Sequence, residues 1–345
     1  MLKERENIIN VVLGIVLAVA IMANIIKAKN YRASDRFEWS SGVYSQQNNT
    51  VQVAKCTFFF GGEWNYSIDK NRILSSGREN INYTEKGLGN AFYPDSLNIC
   101  WYSYTEQQFY EGNFQLPYKH INEVAKTLRN TTKEYETNYA RANADKINLY
   151  FLAELQPEGK VVVWLSDLGK YVKIGAYQAK AVDKTWKIFN NPYISGNNEK
   201  KTDVAVQTAL VMEEYPYTLE AQIPQPLSLR ALSINPYNQL SWKLDKKNTG
   251  PLPVLKNIPR SIDITWGNND KEYWVQYYFK DEEILSAFKK LQSLPGNTKI
   301  ILLITVNDGN DKVLVSLKKG NTVINLPYAY DDLQVYSRIP DKEDN

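Results

Sequence analysis

One histidine, two cysteines and one Asn/Asp-rich loop are the places in this 345-residue chain where side-chain chemistry could concentrate. His120 stands alone, so a catalytic triad, a His-dependent dyad or a zinc site of ordinary His and Cys ligands is hard to assemble. It lies at the start of a segment with helical periodicity and reads as a surface position, with general base as the alternative. Cys56 and Cys100 are 44 positions apart, and no CxxC occurs. They form a candidate disulfide in an oxidising compartment, which the chain-entropy relation values at roughly 4 kcal/mol, or else two buried free thiols. The run NDGND, Asn307 to Asp311, resembles a fragment of a calcium loop but lacks the downstream bidentate Glu, and it reads as a turn. Adjacent acidic pairs, Glu282 with Glu283 and Asp331 with Asp332, face different ways and read as solvated surface. GxGxxG, GxxxxGK[ST], HExxH and GxSxG do not occur in the sequence. The expectation is a protein that is not an enzyme and uses no cofactor and no metal.

The aromatic residues offer a different chemistry. Trp64, Tyr66, Tyr102, Tyr104 and Tyr110 sit on strand-like or turn-like stretches and form a candidate ligand platform, on which sugar rings would stack if several of these side chains lined one groove. Trp101 and Trp266 read instead as module core. They end two related phrases, PDSLNICW (Pro94 to Trp101) and PRSIDITW (Pro259 to Trp266), whose first residues stand 165 positions apart. Alternation puts Leu97, Ile99 and Trp101 on one face, Asn98 and Cys100 on the other, and Ile262, Ile264 and Trp266 in the matching register.

The elements that position these residues repeat as well. After each phrase come a polar turn, an aromatic strand and an amphipathic helix. Ile121, Val124, Ala125 and Leu128 form the apolar stripe of one helix, and Ile284, Ala287, Phe288 and Leu291 that of the other. Asp281 is the expected N-cap of the second helix. INLYFLAEL, the turn QPEG and KVVVWLSD then correspond to IILLITV, the turn NDGND and KVLVSLKKG, and a further strand pair precedes each copy. The predicted class is α+β: an N-terminal transmembrane helix followed by two tandem sheet-plus-helix modules, each strand, strand, helix, strand, strand. The boundaries are 1–30 for the anchor, 31–200 for the first module with a unique extension, 201–337 for the second, diverged module, and 338–345 for a frayed tail.

Ile8 to Ile26 carry no charge, and a helix of that length extends roughly 28 Å, which predicts a retained membrane anchor. A cleaved signal peptide and a buried helix are the alternatives. No Cys ends the run, so a lipid-anchored terminus is excluded. Lys27, Lys29, Arg32 and Arg36 beyond the span outweigh Lys3 and Arg5 before it and favour a cytoplasmic body, but a single N-terminal span translocates a long domain largely regardless of charge. The net charge of +3 includes this cluster and leaves the body near neutral, with no basic face for nucleic acid.

The runs PDSLNICWYSYTEQQFYEGNFQLP, QPEGKVVVWLSD and KIGAYQAKAVDKTW resemble a bacterial envelope-protein family known as domain of unknown function 2931. The resemblance covers about residues 50–200 and implies an envelope location but no catalytic residues. With it, the expectation is a single-pass protein of the bacterial inner membrane with a periplasmic body. It acts as a non-catalytic binding or assembly module with an envelope protein partner, one version being a partner or immunity-type component of a secretion system. The alternative is a periplasmic sugar-binding or cell-wall-modifying protein.

Overall fold

The computed structural model describes residues 2–30, 36–61, 68, 71–84, 88–131, 149–189, 203–244, 253–330 and 332–339. Trp64, Tyr66, the long insertion after the first amphipathic helix and the middle of the Pro/Gly connector lie outside the described residues.

The chain starts with helix α1 (Leu2–Asn30). Its described side chains, at positions 10–25, are exposed. Among the described residues no helix is long and apolar enough to cross a membrane, so the expected transmembrane anchor and single-pass placement are not upheld.

The first half runs β1 (Arg36–Ser45), β2 (Val51–Phe59), β3 (Ile73–Leu74), β4 (Asn82–Tyr83), β5 (Leu88–Phe92), β6 (Ser96–Ser103), β7 (Gln108–Gln115), α2 (Tyr118–Thr131), β8 (Leu149–Leu155), β9 (Lys160–Ser166), β10 (Tyr171–Gln178) and β11 (Lys180–Val182). One sheet has the order β10-β9-β8-β1-β4, with β5 also on β1, and the other β11-β7-β6-β2-β3. The second half runs α3 (Val204–Met212), β12 (Glu214–Gln222), β13 (Ser228–Pro236), β14 (Trp242–Lys243), β15 (Leu255–Asn257), β16 (Pro259–Gly267), β17 (Glu272–Tyr278), α4 (Asp281–Ser293), β18 (Ile300–Val306), β19 (Val313–Lys319), β20 (Thr322–Leu326) and β21 (Tyr336–Arg338). Its sheets are β15-β12-β18-β19-β20 and β14-β13-β16-β17-β21.

The class is therefore mostly β, with 48% strand, rather than α+β. Two physical reasons account for the difference. In each half the second strand leaves the first sheet and founds another, so a module is two sheets closed on one core instead of one sheet beneath a helix. Short stretches that read as turns or linker also pair along sheet edges, among them β4 on β1, β11 on β7 and β21 on β17. The strand Tyr336–Arg338 places the start of the expected tail in a sheet, where Arg338 Nε donates to Glu272 at 2.8 Å.

The two halves follow one plan. In each, α2 or α4 carries the chain from the second sheet back to the first, where β8 lies parallel to β1 and β18 parallel to β12. Trp101 pairs with Tyr110 across β6 and β7, and Trp266 with Tyr273 across β16 and β17. Both pairs stack, with centroids 5.4 Å and 5.7 Å apart. Both Trp side chains are fully buried, Trp101 in the first core and Trp266 in the second. The apolar stripes of α2 and α4 are buried as their spacing predicts. Asp281 does not cap α4: it is the first helical residue, Lys280 holds the cap position without a side-chain bond, and the Asp281 carboxylate instead accepts from Tyr237 Oη at 2.5 Å.

Candidate functional site

The alternation in β6 decides where the two halves meet. Leu97, Ile99 and Trp101 face the core of their own module, whereas Cys100 and Tyr102 belong to a cluster continuous with the core of the second module. The equivalent strand of the second half lacks this second apolar face. By the Trp101/Tyr110 and Trp266/Tyr273 pairing, Cys100, Tyr102 and Phe109 correspond to Thr265, Gly267 and Glu272. The two halves thus share a core plan and differ on the face that joins them.

Tyr102, Tyr104, Phe109, Trp186 and Phe189 pack edge-on and stacked at this junction, with Trp186 4.8 Å from Tyr102 and Phe189 5.8 Å from Phe109. Helix α3 leans on α4 and brings Gln207 to 3.5 Å from Tyr104 Oη. Asp203 caps α3 by accepting from the amides of Ala205 and Val206, which fixes the helix start that aims Gln207. Gln239, at a backbone φ of 62°, spans the halves as a strand residue would: its Oε1 accepts from Ile73 N at 3.2 Å and its Nε2 donates to Asn71 O at 2.9 Å.

These groups line a half-open cavity of about 260 Å³. Ile73, Trp186, Phe189 and Tyr237 supply its apolar wall, and Gln52, Asn71, Gln207 and Gln239 its carboxamides, with exposed Arg260 and Asp281 completing the lining. Tyr104 Oη donates to Gln52 Oε1 at 2.5 Å, which leaves the Gln52 NH2 group as a donor on the wall. Asn71 Nδ2 donates to Phe189 O at 3.0 Å; that contact orients the amide and leaves Asn71 Oδ1 a buried acceptor with no hydrogen-bond partner. Burial, reinforced by the bond to Asp281, holds the Tyr237 phenol protonated well above the ordinary tyrosine range, so it donates and does not act as a base. The arrangement offers donors, acceptors, one cation and one anion around an aromatic wall. Among the lining residues none is a His, Cys, Ser or Lys nucleophile.

The residues singled out from the sequence do not assemble here as a site. His120 lies on the surface of α2, with Nδ1 4.0 Å from Glu123. Cys56 and Cys100 are both free and buried, Cys56 against the first core and Cys100 on the opposite face of the sheet, so the candidate disulfide is not formed. Burial pushes the Cys100 thiol up to about 11, with Lys184 opposing, and raises Cys56 further. The candidate platform fails for the same reason: Tyr102, Tyr104 and Tyr110 are buried, and Trp64 lies outside the described residues. The NDGND loop is exposed apart from Asn310, whose Oδ1 accepts from Trp266 Nε1 at 2.8 Å, and among the described residues no group of three or more His, Cys, Asp or Glu could hold a metal. Sequence reading missed the cavity because its residues come from positions 52 to 281 and none lies in a motif. Gln239 and Asn71 gave a faint signal as polar residues in turn-rich stretches.

The family model described as "Protein of unknown function (DUF2931)" matches residues 26–220, more than half of the chain. The chain belongs to that family. No curated protein matches it. The DUF2931 match covers the first module, α3 and most of β12, and with them Gln52, Asn71, Ile73, Trp186, Phe189 and Gln207 of the cavity wall. Tyr237, Gln239, Arg260 and Asp281 come from the part of the second module beyond the match.

Proposed function

We propose that this DUF2931 protein is a non-catalytic binding protein of the bacterial envelope, with a periplasmic body whose two modules close on a small polar ligand at their junction. The observation that carries this reading is the cavity's polar wall. Carboxamides neither titrate nor attack, and four of them line the cavity beside an aromatic wall. Such a wall supports recognition rather than turnover. The test is mass spectrometry of small molecules released on denaturing protein purified natively from its own cells. A compound retained by the wild type and lost from a folded Gln207→Trp variant, which fills the cavity, is the expected result. An empty wild-type protein counts against the reading.

Assembly with a protein partner is a second reading, and it draws on the outer face of the β12-β18-β19-β20 sheet. There Leu314 and Val323 are 67% and 51% exposed. The matching face of the first module is covered: Arg78 lies 4.1 Å over the Tyr171 ring, and Ile81 and Tyr83 pack against Gly42, where a Cβ would meet them at 2.9 Å and 3.1 Å. A defined complex that dissociates in a Leu314→Glu, Val323→Glu variant would support this role, and a complex indifferent to both changes would remove its basis.

A further inference from the structure

We propose that the cavity between the modules takes a small zwitterionic amide compound, of amino-acid to dipeptide size, with Arg260 holding its carboxylate, the Gln52 NH2 group donating to its amide carbonyl and Asp281 receiving its ammonium group. The inference rests on the binding reading above and gives that site its ligand class. Size comes first: a cavity of about 260 Å³ lies just below the usual range of ligand pockets and suits a small group. Charge comes next. Arg260 lines the cavity, and among the described residues it has no ion-pair partner. A guanidinium presents a planar fork of donors that matches a carboxylate. Asp281 carries the opposite charge on the same wall; one of its oxygens accepts from Tyr237, and the other is available. A ligand with both charges meets both groups at once, whereas a purely anionic or purely cationic one meets only one of them.

The polar wall sharpens the class. The Gln52 NH2 group supplies a donor for a ligand carbonyl. A hexose offers Arg260 only neutral hydroxyl oxygens, whereas a carboxylate adds a charge to the hydrogen bonds. Trp186 and Phe189, 5.2 Å apart, give a short aliphatic side chain an apolar surface.

The experiment is isothermal titration of the full chain with four probes: alanyl-alanine, its C-terminal amide, its N-acetyl derivative and glucose. Alanyl-alanine should bind, and loss of either charge should weaken binding about tenfold or more. Arg260→Gln should weaken the parent dipeptide by a similar factor and abolish the difference between acid and C-terminal amide. Arg260 is exposed, so this variant keeps the core intact. Equal binding of acid and amide, or an Arg260→Gln variant that binds as the wild type does, overturns the inference. Glucose binding without dipeptide binding overturns the ligand class and leaves the binding reading standing. No binding by any probe also overturns the class, and the natively retained compound then decides whether the cavity is a site for something else.

Discussion

At the scale of single residues, burial rather than residue type decides what chemistry is available. Cys56 and Cys100 invite a disulfide on spacing alone, yet adjacent pairing of β2 with β6 sets them on opposite faces, with Lys55 rather than Cys56 across from Cys100. We expect both thiols to resist a thiol-specific reagent in the native protein and to react fully on unfolding, and the electrophoretic mobility of the denatured chain to be indifferent to reductant. Rapid native labelling of Cys100 would show that the junction opens. Gly267 closes the β16–β17 turn beside Trp266, and a Cβ there would lie 2.8 Å from Glu272 Cα, against backbone that cannot rotate away. Gly267→Ala should destabilise by about 1–3 kcal/mol in denaturant titration. Trp266→Ala removes a fully buried ring and its bond to Asn310, and about 3–5 kcal/mol is expected.

At the scale of elements, whatever depended on local periodicity was legible. The stripes of α2 and α4 and the in-out alternation of Leu97, Ile99 and Trp101 follow from spacing, because each is set by neighbours three or four positions away, or two. The Asp281 cap was misplaced by one residue, since Tyr237, far away in sequence, claims that carboxylate. The short strands β3, β4, β11 and β14 have two or three residues each and no periodicity to read; pairing partners alone make them strands. Strand tyrosines also set the response to alkali. Burial pushes Tyr44, which packs beside Arg78, and Tyr277 of β17 up to about 12 from an ordinary value of 10.0. The folded state therefore holds protons that the unfolded chain releases. The stability from these groups is complete below about pH 10 and is lost as pH rises towards 12. Unfolding free energy should be flat approaching pH 10 and then fall, and Tyr277→Phe should shallow that fall; an unchanged slope would remove this tyrosine from the cause.

At the scale of the whole molecule, the two halves share one strand order, and the junction between them was not legible in the sequence. Two copies of one phrase reveal themselves by comparison, but a cavity built from Gln52, Asn71, Gln207, Gln239 and Arg260 depends on how the copies pack, and residues scattered along the chain carry no spacing to detect. The expected anchor is not upheld, since among the described residues no helix is long and apolar enough to cross a membrane. One buried cluster runs from Ala54, Cys100 and Tyr102 through the second core, which ties the modules together. Thermal unfolding should accordingly be a single cooperative transition, and Gln239→Ala, which frees Ile73 N and Asn71 O at the junction, should lower stability by about 1–3 kcal/mol. Two separated transitions in the wild type would mean that the modules fold independently.

The proposed ligand site at the junction is tested by amide hydrogen exchange with and without alanyl-alanine. Protection confined to β3, the Trp186–Phe189 turn and α3 is the predicted result. Unchanged exchange in those segments at a concentration where titration shows binding would place the ligand elsewhere and rule out the junction.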